Sequence, residues 1–140
     1  MADAKEIVGK VVNALDEAND RDIAKALSWA RCGAGAMLMM APRRSVRTWT
    51  GLEADEPQTR MAARSLGARD LAIGVGTLFA ISHGAPVRGW IEAGMLADAC
   101  DAVGGLISLP NVPKLRDLLF TATSGASAFL GYRISGTIDE

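Results

Sequence analysis

The sequence predicts an all-α fold: a four-helix bundle with an additional amphipathic helix at the N-terminus. Three observations lead there. Apolar residues recur at helical spacing, Pro and Gly breaks separate long segments, and no stretch keeps the period-two alternation of a strand. A chain of 140 residues is the size of one compact unit. It divides into an N-terminal amphipathic helix and linker over 1–22 and a bundle over 23–136.

Each element has its own signal. Between Ala4 and Ala18, the apolar Ile7, Val8, Val11, Val12 and Leu15 fall opposite Lys5, Glu6, Lys10, Asp16 and Glu17. The "NDRD" run at 19–22 supplies capping residues for a helix over 23–41 that ends at Pro42. Residues 43–60 read as a polar connection, with Arg43, Arg44, Arg47, a turn at Trp49–Gly51 and the acidic "EADEP". A helix over 59–82 follows, broken by "HGAP" at 83–86. Pro86 suits the first turn of the next helix, over 86–109, which "PNVP" at 110–113 stops. The last helix covers 113–134.

Composition narrows the function classes. Apolar residues make up 49% of the chain but aromatics only 5%, so close packing of Ala- and Gly-rich helices is the natural use of the apolar content. A net charge of -1 gives no footprint for nucleic acid, which is not expected as a partner. Cys32 and Cys100 belong to no metal-spaced pair and His83 is the sole histidine, so no metal site and no cofactor are expected. The two cysteines read as small buried hydrophobes, and Met37, Met39 and Met40 as gap-filling residues. His83 reads as an exposed loop residue, and Trp29, Trp49 and Trp90 as interfacial anchors. The acidic start "MADAKEIVGKVV" is unlike a cleavable signal peptide.

The choice between membrane and water turns on two helices. "LAIGVGTLFAIS" and "LLFTATSGASAFLGY" carry no polar face, and a fold of this size has little room to bury both on all sides. Charge-free runs of 10 to 14 residues point instead to buried core. Spans near 23–42, 64–83, 87–109 and 114–134 become long enough if the polar residues near their ends face inward or snorkel. The expectation is therefore a multi-pass protein of the cell inner membrane, with the bilayer as its partner. A small-molecule ligand and self-association stay open. Lys and Arg are shared almost evenly between the two sides, so the orientation stays open too.

Charged residues inside these helices form the candidate site. Gly94, Asp98, Asp101 and Gly105 lie on one stripe of their helix. Gly67, Asp70, Gly74 and Thr77 make a second stripe with Arg69 beside it, and Arg31 sits one turn before Gly35. Arg31 and Arg69 can neutralise two of Asp70, Asp98 and Asp101. The remaining carboxylate must hold a proton, bind a cation or reach water. A plainer expectation is that these charges only fix helix register, and that Arg88 and Glu92 simply lie at the membrane surface. No catalytic residue is identifiable. A membrane enzyme using paired carboxylates for acid/base work ranks below both readings, and a water-soluble helical domain with an apolar ligand cavity is the alternative.

The segments "ARCGAGAMLMMAPR", "RTWTG", "RSLGARDLAIGVGTL" and "RGWIEAGMLADACDA", in this order, resemble an uncharacterised family of small bacterial four-helix membrane proteins. The resemblance covers roughly residues 28–132. It implies four spanning helices and no known activity, and its motifs carry Arg31, Arg69, Asp70, Asp98 and Asp101.

Overall fold

A computed structural model describes Glu6, Gly9, residues 19–111 and residues 114–139. The N-terminal helix expected over 4–18 lies outside the described residues, apart from Glu6 and Gly9, which are helical and exposed. Everything else described is α-helix, turn or loop. The helices are α1 (Asp20–Met40), α2 (Pro42–Thr50), α3 (Pro57–Ser82), α4 (Arg88–Ser108) and α5 (Lys114–Ser135).

Local chemistry sets the boundaries. Asn19 caps α1 by accepting the Arg21 amide at 3.0 Å, with Asp20 and Asp22 in the first turn where the helix dipole favours them. Pro42 opens α2, and Gly51 ends it with φ of 75°, a left-handed conformation that suits glycine. The region expected to be a polar connection thus holds a short amphipathic helix. It turns Ser45, Val46 and Trp49 inward and leaves Arg43, Arg44 and Arg47 exposed. Pro57 opens α3, and Gly84, with φ of 64°, makes the tight turn toward α4.

The four long helices form two antiparallel pairs, α1 with α3 and α4 with α5. Glycine brings each pair together. A Cβ on Gly35 would stand 2.6 Å from the Gly67 carbonyl oxygen, and one on Gly67 the same distance from the Gly35 oxygen. These backbones touch, and a side chain at either position would force them apart. In the second pair, Gly105 makes room for the Thr121 side chain, and Gly131 packs on Met95. Between the pairs, the Trp90 ring of α4 lies directly over Gly76 of α3.

Along the bundle axis the packing changes character. One end is apolar and closed, built from Ile23, Ala24, Ala80, Val87, Ile91 and Ile134 together with Ile138 beyond α5. The middle holds the charged residues. At the other end α2 lies across α1, α3 and α5, and the helices leave open space.

Large apolar side chains lie mostly outside. Met40 is 80% exposed, Ile107 72%, Phe129 65% and Phe79 63%, whereas Asp70, Asp98 and Asp117 are all below 10%. Met37, Met39 and Met40 fill no gaps, and Cys100 is exposed. No helix among the described residues is long and apolar enough to cross a membrane. The four expected spans therefore lack support from hydropathy. The cause is local: Arg31, Arg69, Asp70, Asp98, Asp101 and Asp117 lie inside these same helices.

Candidate functional site

The five residues singled out in the sequence come together halfway along the bundle. Helical period places them: Asp70 shares the buried face of α3 with Gly67, Gly74 and Thr77, and Asp98 shares that of α4 with Gly94 and Gly105. Arg31 crosses from α1 between the two helix pairs. Its Nη1 donates to Asp70 Oδ1 at 3.3 Å, and its Nη2 donates to Asp98 Oδ2 at 2.6 Å and to the Gly94 carbonyl oxygen at 3.4 Å. Gly94 permits this approach, because a Cβ there would stand only 3.1 Å from Nη2.

Arg69 closes the network. It grips Asp101 with both ends of its guanidinium, Nη1 to Oδ1 at 3.1 Å and Nη2 to Oδ2 at 2.7 Å, a planar fork that lysine could not supply. Its Nε and Nη2 also reach Asp70 Oδ1 at 3.2 and 3.1 Å. Asp70 therefore bridges both arginines. All three carboxylates accept from arginine, so none is left over in the sense that the sequence suggested. The charge remains unequal, two guanidiniums against three carboxylates.

Burial makes this geometry consequential. The side chains of Arg31, Asp70 and Asp98 are 11 to 12% exposed, while Arg69 at 31% and Asp101 at 19% lie nearer the surface. Ion pairs screened little by solvent are costly to break one partner at a time. Arg88 and Glu92 form an exposed pair at 2.7 Å, and His83 stacks on Phe79 away from the network.

Sequence reasoning missed several participants. Ser127 of α5 donates to Asp98 Oδ2 at 2.5 Å and so ties the fourth long helix into the network. Its position among the small residues of α5 was visible, but not its hydroxyl's target. A crevice of about 260 Å³ borders the network and is lined by Arg31, Asp70, Asp98, Asp101, Ser124 and Ser127 among others. Asp117 and Thr121 of α5 are also buried, and Asp117 Oδ2 and the Thr121 hydroxyl meet no hydrogen-bond partner among the described residues. Among the described residues, no group of three His, Cys, Asp or Glu side chains is placed to hold a metal ion.

Comparison of the chain with protein-family models, curated proteins and solved structures finds no match.

Proposed function

We propose that the protein is a membrane-embedded helical bundle whose Arg31–Asp70–Asp98–Arg69–Asp101 network is an internal site for one proton or small cation. The observation that carries this reading is the inverted polarity: charged side chains inside, large apolar side chains outside. A water-soluble bundle has the opposite need. Of the charged residues in the long helices, Arg31, Asp70, Asp98, Asp101 and Asp117 are turned away from the exterior, while Arg21, Asp22, Lys25, Arg88, Lys114, Arg116 and Arg133 near their ends are exposed. Helices of 21 to 26 residues rise about 30 to 40 Å, enough for a hydrocarbon core. The short helix α2, with arginines on one side and Val46 and Trp49 on the other, suits the headgroup level.

The charge count supplies the chemistry. Three carboxylates facing two guanidiniums leave one formal negative charge in a poorly screened interior, which favours uptake of a proton or a small cation from the crevice. The bilayer test is extraction of membranes with alkaline carbonate: the chain stays in the pellet and needs detergent to leave, and release into the carbonate wash would end the membrane reading. The site test is carboxyl infrared spectroscopy of the detergent-solubilised protein. The wild type should show a carboxyl response to added acid or small cation. Asp98→Asn, which equalises the charges, should lack it, and identical titrations would remove the site.

A second reading has its own observation. The network joins helices of both pairs, and the Arg69–Asp101 contact is a closed fork, as expected of ion pairs that only specify packing. That reading predicts loss of fold for Arg31→Asp, rescue by adding Asp98→Arg, and no titrating group in the wild type.

A further inference from the structure

At the open end of the bundle, a cleft of about 490 Å³ lies between α2, α3, α4 and α5. That is the size of an ordinary small-molecule site. Its wall is mainly apolar, with Leu38, Leu66, Trp49 and Phe120 contributing, and two carboxylates interrupt it. Asp101 is held by Arg69. Asp117 is not held. It is only 7% exposed, and its Oδ2 is fully enclosed with no hydrogen-bond partner among the described residues.

An orphaned buried carboxylate oxygen costs stability, because it gave up water and received nothing. The Thr121 hydroxyl, one turn along α5, is orphaned as well. Asp117 lines a cavity already large enough for a guest, and its side chain has no partner of its own there among the described residues, whereas Thr121 packs against Gly105. The wall also states what kind of guest. None of its lining residues is Lys, Arg or His, so no basic side chain of the wall faces Asp117. The Trp49 and Phe120 rings, 6.0 Å apart, border the same space and offer π-faces to a cation.

We infer that this cleft binds an organic ammonium with an apolar body, whose N–H group donates to the Asp117 carboxylate. The requirement for N–H is part of the inference, since a quaternary ammonium has no hydrogen to donate to a carboxylate. Asp101 borders both this cleft and the crevice beside the arginine network. The inference does not rest on the proton site or on the bilayer.

The test is isothermal titration of the folded, purified protein with 2-phenylethylamine, beside 2-phenylethanol and phenyltrimethylammonium. The amine should bind saturably and the other two at least about tenfold more weakly. Asp117→Asn should lose at least the same factor while its melting temperature holds. Absence of saturable amine binding to the wild type, or wild-type affinity in Asp117→Asn, overturns the inference. Should Asp117→Asn fail to fold, Gly104→Leu decides. A Cβ at Gly104 meets open space and the residue lines the cleft, so leucine should project into it and weaken binding at least about tenfold without a loss of stability. Undiminished binding in that variant overturns the inference too.

Discussion

The two ends of the bundle obey different rules. At the closed end, Val87 and Ile134 are completely buried and Asp139 accepts the first amides of α4. At the open end, a cleft separates the helices and two polar atoms lack partners. Both ends belong to the same four long helices. Ile23, Ile91, Ile134 and Ile138 meet in a closed cluster at the first end, whereas at the second Ala62, Ala63, Gly104 and Gly105 share the cleft wall with Leu66, Trp49 and Phe120. A well-packed end can hold the fold while a poorly packed one keeps room for a guest. The arginine network lies between them and binds the two helix pairs to each other.

That arrangement can be broken most severely in the middle. Arg31→Met leaves Asp70 and Asp98 facing each other across the bundle with half of their compensation gone. Removing one partner of a buried pair costs about 3 to 5 kcal/mol. A denaturant or thermal titration should register that loss, and a change under about 1 kcal/mol would mean that solvent reaches the pair freely. Next in size is the contrast between the ends. Ile134→Ala, at a completely buried position, should cost about 2 to 4 kcal/mol through its cavity. Leu66→Ala, beside existing empty space, should cost well under half of that. Equal losses would show that the cleft closes in solution.

Much of this was legible in the sequence. The stripe Gly67, Asp70, Gly74 and Thr77 is buried throughout, because a period of 3.6 residues fixes one face once the helix is granted. The same reasoning found Asp98, and it found Arg31 as the cation needed opposite. It failed where period carries no phase. Apolar residues surround the second half of α1, so nothing in the spacing told Leu38, which is buried, from Met37 and Met40, which are not. The helix over 42–50 escaped because nine residues give barely two turns of pattern, and its arginines read as loop. Asp117 escaped for a third reason. Within "KLRD" it resembles any acidic residue in a first turn, and only the packing of neighbouring helices buries it.

Asp117 also sharpens the contrast between the ends through the sign of a mutation. Replacing an orphaned polar group with an apolar one of similar volume removes a desolvation penalty. Asp117→Leu should therefore raise stability by about 1 to 2 kcal/mol, although it substitutes a buried residue. Differential scanning calorimetry of both proteins under one set of conditions checks the direction. A clear loss of stability would mean that the carboxylate holds the first turn of α5, and the open end would then be structural after all.

The smallest effect belongs to the closed end and concerns pH. α4 begins with Val87 at its cap position, a side chain that cannot accept a hydrogen bond. Asp139 does so from 52 positions along the chain, taking the Val87 amide at 3.0 and 3.1 Å and the Arg88 amide at 3.0 Å. The Val87 amide, followed by that of Arg88, holds the Asp139 carboxyl below its ordinary value. A group with a depressed folded value stabilises the fold above its unfolded value, about 3.9 for aspartate, and the contribution fades as pH falls through the folded value. Because Asp139 is solvent-exposed the gain is small, and global unfolding is a poor probe of it. Amide exchange at Val87 and Arg88 is the sensitive one. Exchange there should accelerate below about pH 4 relative to amides in the middle of α4, and Asp139→Ala should show the faster exchange already at neutral pH. A wild-type ratio that stays constant on acidification would mean that α4 holds its first turn through Val87 packing alone.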